Sequence, residues 1–170
     1  MNIYKTNVLD QSELWKEGSV TTELNTVDKY VQFSSSDLFT LSTADGVSHW
    51  DGTLEYSTQD PLDDNNWSTW DGSTINSASD GTSHNIYMRG TSNTKLTGNS
   101  ETYKWVINGS DVSINGSFRM LLNYNASPGT PVNYAFSYMF KGCTALTDCS
   151  NFDMTISSSN QYVQQQMFMD

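Results

Sequence analysis

Residues 30–43 read YVQFSSSDLFTLST, and this stretch decides the class of fold. In its first half, Val31 and Phe33 alternate with polar or amphipathic neighbours, and in its second half Phe39 and Leu41 do the same. Successive side chains of a β-strand point to opposite faces, so each half predicts a short strand with one apolar face. The polar run between the halves predicts a turn.

The same alternation continues to residue 126. Further strands are predicted at 52–58, 85–90, 104–109 and 112–125. Asp-Gly and Asn-Gly pairs, which supply the positive φ that tight turns require, punctuate the series at 45–46, 51–52, 71–72, 80–81, 108–109 and 115–116. The pattern predicts a mainly β fold, an antiparallel β-sandwich of immunoglobulin-like architecture over residues 30–126. The Cys…Trp…Cys framework of antibody domains is missing, so that name describes architecture only.

The composition narrows the classes of function. The chain has 170 residues, a net charge of −11 and a pI near 4.3, and only 16% of its residues are charged. An acidic surface without a basic patch repels phosphate backbones, so nucleic-acid binding is not expected. No segment approaches the roughly 20 apolar residues of a membrane span, so none is predicted.

Residues 1–29 are predicted to form a separate N-terminal docking arm. Asp10 and Glu13 have the spacing of a capping box and precede Leu14 and Trp15, so a short helical turn is expected there. A tryptophan in so polar a segment needs a partner surface, which is either its own domain or another subunit; both alternatives stay open. The segment has no basic stretch followed by an apolar run, so a secretory signal is not predicted.

The C-terminal part begins after a proline-rich stretch. Residues 127–133 contain SPGTP and are predicted to form a linker. The apolar spacing that follows predicts a short helix over 135–142, ended by Gly142, and then a brief extended segment. Met139-Phe140 recurs as Met167-Phe168, 28 residues further on.

The segment YMFKGCTALTDCSNFDM at 138–154 resembles the BspA-like leucine-rich repeat, a unit with Met-Phe, two residues, Cys, two residues, Leu and then a short strand containing Asn-Phe. Residues 134–170 accordingly resemble one repeat and the start of a second. The matching positions are Met139, Phe140, Cys143, Leu146, Asn151 and Phe152, followed by Met167 and Phe168 in the second unit. About three units are normally needed for stability. The resemblance therefore implies the hypothesis that these 170 residues are the N-terminal part of a longer protein with further repeats.

The whole arrangement of β-region and repeat is similar to surface proteins of gut bacteria and to virion fibre proteins of the tailed phages that infect them. The resemblance implies a structural virion protein, a head or tail fibre in which the N-terminal region binds capsid or tail proteins. It also implies a homotrimer whose distal repeats project toward a host glycan or protein. The alternatives are a leucine-rich-repeat adhesin on a bacterial cell surface and a carbohydrate-binding module.

An enzyme is not predicted, and neither is a cofactor or a metal site. The two histidines, His49 and His84, belong to no recognisable catalytic motif, and no GxSxG sequence is present. The loop DPLDDNN at 60–66 offers oxygen ligands of the kind that Ca²⁺ accepts, but its spacing is not that of an EF-hand. A solvated hairpin loop is the expectation for it.

Two residue pairs leave alternatives open. Trp67 and Trp70 are candidate glycan contacts, but residues three apart in a strand face opposite sides, so one of them is expected in the core. Cys143 and Cys149 are either a local disulfide or two small buried thiols. They lack the spacing of a zinc site.

If Trp15 anchors the arm to a particle, Trp15→Ala should abolish incorporation into virions while the β-region stays folded. Incorporation is measured on purified particles by mass spectrometry, and folding by circular dichroism. A mutant that is incorporated normally would contradict the docking arm.

Overall fold

The computed structural model of this chain describes residues 29–155, 164 and 166–168, and within those ranges the fold is mainly β. The strands are β1 (Val31–Ser35), β2 (Thr40–Thr43), β3 (Thr53–Ser57), β4 (Ser68–Thr69), β5 (Ile75–Asn76), β6 (Ala78–Ser79), β7 (His84–Thr91), β8 (Trp105–Asn108), β9 (Val112–Ser117) and β10 (Leu146–Asp153). The helices that lie wholly within the described ranges are short: the α-helix α1 (Phe118–Leu122) and the 3-10 helices Asp64–Asn66 and Glu101–Tyr103.

The strands form two sheets. The larger sheet has the order β10-β9-β1-β7-β3-β4, with β6 also paired to β7, and the smaller has the order β5-β2-β8. The smaller sheet is antiparallel. In the larger sheet the pairs within the predicted sandwich, residues 30–126, are antiparallel. Strand β10 lies outside that range and runs parallel to β9, so the larger sheet as a whole is mixed. The immunoglobulin-like arrangement stays a prediction.

One apolar core joins the two sheets. The predicted alternation of 30–43 holds, because Val31, Phe33, Phe39 and Leu41 are all buried. The ring of Phe33 in the larger sheet lies 6.5 Å from that of Trp105 in the smaller sheet. Residues on both sides of the predicted linker 127–133 belong to this core, so the described part of the segment predicted as a repeat shares the interior of the β-region.

The predicted strand 112–125 is wrong in its second half. The strand ends at Ser117, whose hydroxyl accepts a hydrogen bond from the Arg119 amide at 3.2 Å and so caps α1. The Asn115-Gly116 pair lies inside β9 and makes no turn. Gly116 has a φ of 110°, and a Cβ there would lie 2.8 Å from the Tyr30 carbonyl oxygen, so only glycine fits this close approach.

The predicted helix at 135–142 is also wrong. The segment is a succession of turns in which amides bond to carbonyls three residues back, at 3.3 Å from Met139 to Phe136 and 2.9 Å from Lys141 to Tyr138. Tyr134 and Tyr138 both have a φ of 60°, which a right-handed helix does not allow. The chain therefore turns repeatedly in place of coiling into a regular helix.

Helix α1 lies directly on strand β7. A Cβ at Gly90 would meet the Leu121 carbonyl oxygen at 1.7 Å. The side-chain amide of Asn93 donates to that same carbonyl at 3.0 Å and to the Thr53 carbonyl at 2.7 Å. The contact between α1 and the sheet consequently depends on a glycine near the end of β7.

Gly90→Ala should lower the free energy of unfolding by about 3 kcal/mol or more, because backbone must move to admit the methyl group. Gly129→Ala is the matched control: its added Cβ meets only the Thr94 methyl at 3.5 Å, so we expect a change below about 1 kcal/mol. Urea unfolding measures both. Equal effects of the two changes would contradict the close packing of α1 on β7.

Candidate functional site

The residues predicted to form the repeat core come together on the β-region. Met139, Phe140, Phe152 and Met167 are buried, Cys143 and Leu146 are partly buried, and Phe168 is 43% exposed. The Phe140 ring lies 6.2 Å from Phe33 and 5.9 Å from Trp105. The Trp105 amide donates to the Met139 carbonyl at 2.8 Å. The first Met-Phe pair is thus attached to the core by both side chains and backbone.

The second Met-Phe pair repeats the local geometry of the first. Gln166, which precedes Met167, has a φ of 55°, close to the 60° of Tyr138 before Met139. Both methionines are buried. The rings of Phe140 and Phe168 stack at 5.5 Å with an interplanar angle of 22°. The Phe140 amide also donates to the Met167 carbonyl at 2.9 Å, so the two pairs stack in register.

Strand β10 completes one coil of the chain. The coil runs from β9 through α1 and the turns into β10, which pairs parallel with β9. Its interior holds a ladder of rings: Phe152 meets Phe118 edge-on at 4.7 Å, and Phe118 stacks on Phe136 at 4.6 Å. Among the residues that the structure describes, β10 pairs with β9 alone and lies at an edge of the sheet.

The Trp67–Trp70 pair does not form a platform for a sugar. Trp70 is 1% exposed, so the predicted glycan contact at this residue is wrong. Its ring stacks on Trp50 at 4.8 Å and its indole N–H donates to the Ser73 carbonyl at 2.7 Å. Trp67 is partly buried, and the guanidinium of Arg89 lies 4.2 Å from its ring centre. The guanidinium therefore covers one face of the Trp67 ring, so a sugar cannot stack on that face.

Sequence reasoning missed the group of residues around Arg89. We call Glu55, Asp64, Trp67, Arg89 and Tyr124 the Arg89 cluster. Arg89 is 7% exposed and bonds the Glu55 and Asp64 carboxylates at 2.9 and 2.8 Å. Its guanidinium also lies 4.3 Å from the Tyr124 ring centre. The partners are up to 35 residues away in sequence, so no local motif reveals them.

The electrostatics of the Arg89 cluster favour a charged arginine. Desolvation lowers the pKa of Arg89, but hydrogen bonds to Asp64 and Glu55 outweigh it and hold the pKa above the ordinary value. The hydrogen bond and charge of Arg89 in turn lower the pKa of Asp64. The cluster fastens the 60–66 loop and the segment after α1 to strand β7, which is a structural task.

Two carboxylates of the 60–66 loop, those of Asp60 and Asp63, accept hydrogen bonds from the backbone of the loop itself. Asp60 accepts from the Leu62 amide at 2.9 Å, and Asp63 accepts from the Asn65 amide at 3.0 Å and caps a 3-10 helix. Within the described ranges, no group of three or more His, Cys, Asp or Glu residues is placed to hold a metal ion.

The cysteines are free thiols and both are partly buried. The Cys143 thiol donates to the Trp105 carbonyl at 3.1 Å. Desolvation raises the pKa of both thiols, so they are protonated at neutral pH. Of the two alternatives left by the sequence, this arrangement corresponds to two thiols, although neither is fully buried.

Leu14 and Trp15 lie outside the described residues. None of the helices in the described part of the chain is long and apolar enough to cross a membrane. No protein-family profile, curated protein or solved structure matches this chain.

Met167→Ala should lower the free energy of unfolding by about 2–4 kcal/mol, because it removes a buried side chain from the stacked pairs. Met154→Ala is the matched control at a methionine that is 40% exposed, where we expect less than about 1 kcal/mol. Thermal and urea unfolding measure both variants. Equal small effects would contradict the docking of the second Met-Phe pair.

Arg89→Met should destabilise the protein by about 2–3 kcal/mol, since it leaves the partly buried Glu55 carboxylate unpaired. Arg119→Met, at an exposed arginine with no ion pair among the described residues, should change stability by less than about 0.5 kcal/mol.

The pKa of Asp64 is lowered from 3.8 by Arg89, so this part of the stability is present above that value and is lost as the pH falls through the lowered pKa.

The deficit of Arg89→Met, measured by urea unfolding, should therefore be constant above pH 3.8 and shrink as the pH falls below it, through the lowered pKa of Asp64. A deficit that is independent of pH would contradict the ion pairs.

Proposed function

We propose that this protein is a structural component of a tailed-phage virion, a head or tail fibre. In this role residues 1–29 anchor it to capsid or tail proteins, the β-region is a rigid base, and repeats beginning at residue 134 project outward. The observation that carries the proposal is the in-register stacking of Met167-Phe168 on Met139-Phe140.

The stacking is what an extended array of repeats requires. In repeat proteins each unit contacts its neighbours, and the apolar face of one unit is covered by the next. Here the ring of Phe140 lies between Phe33 of the β-region and Phe168 of the second unit. Phe168 in turn keeps 43% of its surface exposed, and in an array this surface receives the following unit.

The β-region serves as the base of the stack. Terminal units of an array need a cap, because an uncovered apolar face is insoluble. Phe33 and Trp105 supply this cap for the first unit, and strand β9 supplies the parallel partner for β10. A rigid base fits a fibre, whose attachment point must transmit force to the particle.

The proposal takes three of its parts from the resemblance of the sequence to fibre proteins: the virion itself, its capsid or tail partner, and the homotrimeric state. The same stacking suits an adhesin on a bacterial cell surface. The two functions differ in location, so location is what the experiment has to measure.

The test is a density-gradient separation of phage particles and host envelopes from the native source, probed with an antibody raised against the 170-residue chain. The proposal expects the protein to band with the major capsid protein and to be labelled by immunogold on head or tail appendages. Recovery in the envelope fraction alone would overturn the virion proposal and favour the adhesin.

A further inference from the structure

A cleft lies at the carboxyl ends of the parallel strands β9 and β10, and the fibre role does not use it. It has two lobes of about 450 and 640 Å³. Ser117, Arg119, Ser127 and Asp153 line both lobes, so the lobes form one continuous surface. Pockets of this size hold small organic ligands.

Polar side chains on the two strands form a ladder on one wall of the cleft. Asn115 is paired in register with Asn151, and Ser117 with Asp153. Residues two apart on a strand share a face, and adjacent strands are about 4.8 Å apart, so the four side chains line one face at close spacing. Hydrogen bonds from Thr155 and Ser117 lower the pKa of Asp153, so its carboxylate is ionised and accepts hydrogen bonds at neutral pH.

Helix α1 adds a hydrogen-bond donor to the cleft. Arg119 makes no ion pair among the described residues, so its guanidinium can donate to a ligand.

The opposite wall is apolar in part, and the charge of the cleft is balanced. Leu122, Pro128 and Pro131 line the smaller lobe beside the polar ladder. Among the described residues that line the cleft, the charged ones are one arginine and one aspartate, so their net charge is zero although that of the chain is −11. Adjacent amide, carboxylate and apolar surfaces match a sugar ring, which has hydroxyl groups at its rim and C–H groups on its faces.

We propose that this cleft binds a neutral oligosaccharide, whose hydroxyl groups bond to Asn115, Asn151, Asp153 and Arg119. The balance of one cation against one anion disfavours phosphorylated and sulfated ligands, which need an excess of cations. The cleft is separate from the Trp67–Trp70 pair. The inference rests on the cleft alone and is independent of the virion role.

The test uses the full 170-residue chain, fluorescently labelled, on an array of neutral and acidic oligosaccharides. Isothermal titration calorimetry then gives the affinity for the strongest neutral oligosaccharide on the array. Arg119→Ala and Asn151→Ala should each weaken binding at least about tenfold, since each removes hydrogen bonds to the ligand. Asn108→Ala, an exposed asparagine of β8 outside the cleft, is the matched control and should leave the affinity within about twofold.

Ser127→Trp provides a second variant, because Ser127 is exposed in the segment after α1 and a tryptophan there fills the cleft without entering the core. It should abolish binding while the melting temperature stays unchanged. Three results would each overturn the proposal: no binding of any neutral oligosaccharide at millimolar concentration, binding of acidic ones only, or binding that survives both Arg119→Ala and Ser127→Trp. None of them bears on the fibre role, which particle association tests separately.

Discussion

The fold depends on the contacts of one buried side chain, that of Trp105. Its ring meets Phe33 of the larger sheet at 6.5 Å, Trp70 at 5.1 Å and Phe140 at 5.9 Å. The backbone amide of Trp105 donates a hydrogen bond to the Met139 carbonyl, and its backbone carbonyl accepts one from the Cys143 thiol at 3.1 Å. Trp105 therefore joins the smaller sheet, the larger sheet and the segment 139–143, and aromatic residues of this size contribute strongly to a core.

This connection explains how the predicted repeat segment, residues 134–153, is packed in the part of the chain that the structure describes. A repeat normally buries its apolar face against a neighbouring repeat. Here the β-region takes the place of that neighbour: Phe140 packs on Phe33 and Trp105, and β10 extends the larger sheet beside β9. The segment is consequently part of one core, and Phe168 keeps 43% of its surface exposed.

The sequence predicts the elements whose signals are local. The alternation around Phe33 and Leu41 gives β1 and β2, and the spacing of the Met-Phe pairs identifies the residues that stack. The sequence does not predict helix α1, because Ser117, the residue that caps it, fits a strand equally well. The positive φ of Tyr138 was missed because tyrosine carries no signal for it. The Arg89 cluster and the polar ladder of the cleft are formed by pairing between distant segments, which no single stretch of sequence contains.

The central claim is that the β-region and the stacked Met-Phe pairs unfold as one cooperative unit, and native-state hydrogen exchange tests it most directly. The amides of Trp105 and Phe140, which bond to the Met139 and Met167 carbonyls, report on the stack. The account predicts that they exchange with the same opening free energy as the amides of β1. A clearly lower opening free energy for Phe140 and its neighbours than for β1 would show that the repeat unit opens by itself and would contradict the account.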